Sequence, residues 1–77
     1  SHHIEREPLS VRERMSIVLS KVKSDDYTEF KAFFNVEEGR MGVVVSFLAI
    51  LELVKESLIE LVQNGPYAPI YVKARAS

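Results

Sequence analysis

The chain has 77 residues, 47% of them hydrophobic, with four Phe, three Tyr, no Cys and a net charge of −1. That is the size of one domain, and one that buries only roughly 60–65% of the surface its unfolded form exposes. The charge excludes a global attraction to nucleic acid or anionic lipid, the missing Cys excludes disulfides and Cys-based zinc sites, and no apolar run reaches the roughly 18–20 residues of a membrane span.

Residues 1–9 are polar and read as a tail ahead of a domain over residues 10–77. His2 and His3 are the only histidines. Two adjacent His with no third ligand nearby cannot close a coordination shell, so they read as a tag remnant or solvated tail. The chain opens on Ser1 rather than Met and has no signal-peptide pattern. It reads as a domain of a longer protein, and its lack of Cys fits the cytoplasm.

Ser10-Val11-Arg12-Glu13 has the pattern of a capping box. Val11, Met15, Val18, Leu19 and Val22 follow at helical spacing, which predicts an amphipathic helix to about Lys23. Ile17 projects away from that stripe, among Glu13 and Lys21. It is either a singly exposed apolar residue or an interface anchor. Ser24-Asp25-Asp26 reads as a turn, and Asp26 with Glu29 as a second cap. Tyr27, Phe30, Phe33 and Phe34 predict a short second helix whose rings belong to the core. A base-stacking platform needs interleaved cations, and only Lys31 is close.

Residues Asn35 to Gly42 read as a turn, punctuated by Gly39 and Gly42. The run from Val43 to Lys55 is a third helix that is apolar on more than one side. Val44, Phe47, Leu48, Leu51 and Val54 form one stripe; Val43, Ile50 and Leu53 form a second. A surface helix normally shows one stripe. The second is either wrapped by the rest of the domain or left for a partner. Leu58 to Gln63 reads as a strand, Asn64-Gly65-Pro66 as a turn, and Ile70 to Lys73 as a second strand. The expected fold is mainly α with a small β-hairpin, an α+β winged helix-turn-helix of three helices and a two-stranded wing.

Catalysis needs a nucleophile with a base, a paired acid and base, or a metal. Asp25-Asp26 and Glu37-Glu38 are adjacent pairs, which read as solvated turn charges. No Gly-Lys-Ser/Thr follows the glycines, so there is no phosphate loop and no cofactor site. The chain reads as a non-enzyme. A winged helix also invites a DNA-binding reading, as in transcription regulators. Against it, Val43 to Glu60 carries Glu52, Glu56 and Glu60 but only Lys55, a net of −2. Arg40, Lys73 and Arg75 are too few and scattered for more than weak, salt-dependent binding.

Arg14-Met15, Phe30 to Phe34, the string Phe47-Leu48-Ala49-Ile50-Leu51-Glu52-Leu53-Val54, Gln63 and Tyr67-Ala68-Pro69-Ile70 together resemble the C-terminal winged-helix domain of kleisins, the bacterial branch in particular. The resemblance spans nearly everything after Pro8. It implies an adaptor that docks on the ATPase head of an SMC protein in chromosome condensation and segregation, acting in the cytoplasm at the nucleoid. It also implies that a longer chain contacts the neck of the other SMC subunit through its N-terminal part, and a dimeric subunit of the ScpB type through its middle region. One departure is local. The wing position often held by Phe-Gly in this family is Tyr67-Ala68 here, and Ala restricts positive φ, so the turn is expected to differ slightly.

The expected interface is apolar with a charged rim. Ile50 and Leu53 are its candidates on the third helix, Ile17 on the first and Tyr71 on the last strand. Tyr71 alternates away from Ile70 and Val72, so it faces out if those two face the core. Arg12 and Arg14 can pair with acids of the partner. Ile50 and Leu53 also have an ordinary reading, as residues packed by the first helix and the wing. A rival use of the second stripe is a homodimer, whereas head docking leaves the isolated domain monomeric.

Overall fold

The computed structural model describes residues 10–75. The tail residues 1–9, with His2 and His3, lie outside the described residues.

Ser10 starts the first element by capping it: its Oγ accepts a hydrogen bond from Glu13 N–H at 3.2 Å. Helix α1 (Val11–Lys21) follows. Val18 on its inner face is fully buried, and Val11, Met15 and Val22 pack against the same core. The Val22 N–H closes the helix on the carbonyls of Val18 and Leu19.

The next segment departs from expectation. No α-helix forms around Tyr27–Phe34. Asp26 Oδ1 accepts from the Tyr27 N–H at 2.8 Å, a local turn bond rather than a helix cap. Strand β1 (Thr28–Glu29) then pairs with the far end of the chain, and Phe30–Phe33 make a single 3-10 turn. The reason is tertiary. The strand carrying Tyr71 and Val72 offers a free edge, and two residues of β1 take it. The one turn that remains is enough to bury Phe33. A second 3-10 turn, Val36–Glu38, is capped by Asn35, whose Oδ1 accepts from the Glu37 N–H at 2.9 Å.

Helix α2 (Gly39–Lys55) begins four residues before Val43, so Gly39 and Gly42 belong to it rather than to a preceding loop. Gly39 joins the 3-10 turn to the helix with φ +79° and ψ −171°, a backbone that is essentially glycine's alone. The far end closes in a Schellman motif. Leu58 N–H donates to Leu53 C=O and Ser57 N–H to Val54 C=O, each at 2.9 Å. Ser57 holds the left-handed position, φ 63°, that glycine usually occupies.

Strands β2 (Ile59–Gln63) and β3 (Ile70–Ala74) form an antiparallel hairpin. With β1 they make a three-stranded sheet in the order β1-β3-β2 rather than a two-stranded wing. Two α-helices and this sheet make the fold α+β. The register sets the faces: Ile59 and Val72 point inward and are buried, while Tyr71 lies opposite Val62 and Glu29 on the other face. Val18, Phe33, Ala49, Ile50, Leu53, Ile59 and Val72 form the core between the helices and the sheet. Among the described residues two hydroxyls, Ser46 Oγ and Thr28 Oγ1, are buried without a hydrogen-bond partner.

Three substitutions test this backbone by urea denaturation. Ser57→Gly relieves the left-handed serine and raises stability by about 1 kcal/mol. Gly39→Ala lowers it by about 1–3 kcal/mol. Ser46→Ala removes an unpaired buried hydroxyl from a helix interior and raises stability by about 1 kcal/mol. Destabilisation by Ser57→Gly would contradict the C-terminal assignment of α2.

Candidate functional site

Helix α2 has two apolar faces, and they fall the opposite way to the expected one. Its buried residues are Gly42, Val45, Ser46, Ala49, Ile50 and Leu53, spaced i, i+3, i+4, i+7, i+8 and i+11. That is a complete core stripe, but half of it is Gly, Ser and Ala. The larger stripe, Val44, Phe47, Leu48 and Leu51, lies at the surface; only Val54 of that set packs against the core.

Ile50 and Leu53 are therefore corrected as interface candidates. Both are 0% exposed, enclosed among Val18, Phe33, Ile59 and Val72. Neither can reach a partner without unfolding the domain. The small residues explain the inversion. Gly42 lies under Glu38, and a Cβ there would collide with the Glu38 side chain. Glu38 in turn holds Arg14 of α1, its Oε2 accepting from the guanidinium at 3.0 Å. Arg14 is thus a clamp between α1 and the start of α2, with its side chain 13% exposed, and is corrected as a free partner for acids.

The remaining candidates occupy separate faces. Ile17 is 45% exposed on α1. Arg12 is exposed and shares a shallow depression with Glu52 and Glu56 of its own chain. Tyr71 lies on the outer face of the sheet, as its alternation requires. It is half-buried because Tyr27 packs against it edge-on, ring centroids 6.3 Å apart, with Lys73 Nζ 5.2 Å from the Tyr27 ring centre. Tyr27, Val62, Asn64 and Tyr71 line a small hollow there.

The most developed apolar surface lies elsewhere. A groove of about 520 Å³ runs between the outward face of α2 and the first 3-10 turn. Phe30, Phe34, Val43, Val44, Phe47 and Leu48 line it, and Lys31 is its one charged residue. The rings hold one another in place. Phe30 is 5.0 Å from Phe34, and it meets Phe47 at 6.4 Å with the planes at 88°. Such tilted and edge-on contacts favour the quadrupoles of both rings. Phe47 is thereby fixed while remaining 45% exposed. Leu51, one turn further along α2, continues the surface. The sequence reading missed this face because it sent the largest residues inward. The available signal was the helical repeat of small residues at Gly42, Ser46 and Ala49.

Among the described residues no group of three or more His, Asp or Glu could hold a metal ion. The molecule thus carries an apolar, aromatic-lined groove on a small α+β domain. The comparison with known proteins gives the family. The model of segregation and condensation protein ScpA (SMC_ScpA) matches residues 1–75, and the chain belongs to this family. It is 55% identical over 75 residues to segregation and condensation protein A of Coxiella burnetii, covering 97% of this chain and 28% of that protein. It is 49% identical over 76 residues to the protein of the same name in Xylella fastidiosa strain Temecula1, covering 99% of this chain and 25% of that one. The counterpart in Myxococcus xanthus is 38% identical over 71 residues, covering 90% and 25%. The chain thus spans about a quarter of the length of these relatives.

Thermal denaturation separates core from surface. Ile50→Ala costs about 2–5 kcal/mol, whereas Ile17→Ser changes stability by no more than about 0.5 kcal/mol. A mild effect at Ile50 would show that α2 faces the other way.

Proposed function

We propose that this chain is the winged-helix module of a kleisin-type segregation and condensation subunit. It docks on the ATPase head of an SMC protein as a non-enzymatic adaptor in chromosome condensation and segregation, in the cytoplasm at the nucleoid. In this reading the β2–β3 hairpin is the wing, and the 3-10 turns stand where a second helix is usual. The longer protein binds a dimeric ScpB-type subunit through segments outside this chain.

The observation that carries the reading is the outward face of α2. A domain this small has little apolar material to spare, yet it holds Val44, Phe47, Leu48 and Leu51 at the surface. An exposed apolar surface of this kind marks a contact with another macromolecule. Its chemistry selects a protein. The groove has one cation, Lys31, and the charges of α2 are Arg40 at its start and Glu52 and Lys55 near its end, none of them lining the groove, whereas a nucleic-acid surface needs a set of cations placed for phosphates. The family's part in segregation and condensation supplies the process, and the head is the partner that a kleisin-type subunit engages. Phe47 and Leu51, one turn apart, are the anchors, and Val44 and Leu48 complete the surface. Ile17 and Tyr71, on other faces, are secondary.

Calorimetry with the purified SMC head of the same cell tests this reading. Phe47→Arg and Leu51→Glu each leave the domain folded and weaken binding by about 30-fold or more, as truncating an interface hot spot does. Wild-type affinity in both variants would remove α2 from the interface. Retention on duplex DNA at low salt, with no head binding, would instead favour a nucleic-acid module.

A further inference from the structure

The loop joining β2 to β3 carries a second, separate oddity. Ala68 N–H donates to Gly65 C=O at 3.1 Å, which closes a turn with Pro66 and Tyr67 at its centre. Tyr67 has φ 64°. A central pair of proline followed by a positive φ is a type II turn, and its second central position strongly favours glycine. A bulky aromatic residue there is a true backbone outlier. The positive φ of this turn therefore falls on Tyr67 and not on Ala68, where the sequence led one to look for it. The ring gains nothing from the rest of the domain in return, because Tyr67 is 102% exposed, the most exposed of the large hydrophobics among the described residues.

The tip is also rigid. Pro66 and Pro69 flank Tyr67 and each fixes its own φ. Gln63 Nε2 donates to Ala68 C=O at 2.8 Å, tying the end of β2 across the loop. A strained, clamped turn that projects an aromatic side chain into solvent is what a pre-organised anchor requires, since little freedom is left to lose on binding. From Gln63 to Ile70 the hairpin tip carries no charge. Phosphate contacts and base-stacking grooves both depend on cations, so the tip does not suit nucleic acid. Tyrosine is a favoured anchor at protein interfaces, with an apolar ring and a hydroxyl that takes a hydrogen bond. The tip is also continuous with the α2 groove. The arm Ala68-Pro69-Ile70 borders a hollow with Phe30 and Lys31, and those two residues line the groove as well.

We infer that Tyr67 is a pre-organised anchor whose ring enters an apolar pocket on the SMC head, extending the α2 contact along one continuous surface. This rests on the head-docking reading.

The test uses this chain and the purified head, with wild type, Tyr67→Gly, Tyr67→Asn and Tyr67→Phe measured for both stability and affinity. Gly and Asn both accept a positive φ, and neither carries a ring. The expected result has opposite signs. Tyr67→Gly melts a few degrees higher than wild type, yet it and Tyr67→Asn bind the head about tenfold more weakly or worse. Tyr67→Phe keeps the ring and stays within a few-fold of wild type. A more stable Tyr67→Gly that binds as well as wild type would overturn the anchor while leaving the docking reading intact. If wild type itself does not bind the head, the docking reading fails and the anchor fails with it. Equal loss in Tyr67→Phe and Tyr67→Gly would overturn the apolar pocket, since the hydroxyl alone would then carry the contact.

Discussion

The rest of the structure depends on how closely other elements approach the small-residue face of α2. Helices pack at interaxial distances that the side chains at the contact decide. Here Gly42, Ser46 and Ala49 leave room, and Val45, Ile50 and Leu53 supply the apolar material between them. Val18 from α1, Phe33 from the first 3-10 turn, and Ile59 and Val72 from the sheet all close on Ala49, Ile50 and Leu53. Turning the larger stripe inward would force four bulky side chains into this space, and overpacking of that kind is itself destabilising. The domain therefore builds its core on the less hydrophobic-looking side of its longest helix. The large side chains are left outside, and the surface groove follows from that constraint.

The same arrangement explains the start of α2. Gly42 admits Glu38 alongside the helix, and Glu38 reaches Arg14 on α1. The charged pair thus lies where α1 meets the beginning of α2, while the apolar core fills the space further along. At the other end, the Schellman closure at Ser57 turns the chain directly into β2. Both joints hold α2 in a fixed rotation. That rotation determines that Phe47 and Leu51 face solvent while Ile50 and Leu53 do not. Phe30 then supports Phe47 from the side, so the groove has a fixed wall.

Local signals in the sequence were legible where local chemistry decides. Ser10 caps α1 as its spacing with Glu13 indicates. The hairpin lies where Asn64-Gly65-Pro66 places it, and Tyr71 faces away from the core by simple alternation. Non-local choices were not legible. Nothing near Thr28 announces that it will pair with Val72, more than forty residues later in the chain, and that pairing replaces the expected second helix. Hydrophobicity ranks Phe47 above Ala49, so a reading weighted by residue size sends the wrong face of α2 inward. Arg14 looked free because its partner lies 24 residues away, at the edge of a turn. Family resemblance was legible from short apolar strings, and the matched family bears it out over residues 1–75. The surface a partner would use was not, since it depends on the rotation of one helix.

The central claim is that α2 offers its large apolar face to a protein partner while its small-residue face holds the domain together. Methyl-resolved NMR of this chain, titrated with the purified SMC head, tests it most directly. The account predicts that the methyl signals of Val44, Leu48 and Leu51 shift or broaden, while those of Ile50, Leu53 and Val72 hold their positions. Perturbation confined to Ile17, or to methyls on the sheet, with Val44, Leu48 and Leu51 unmoved, would contradict it.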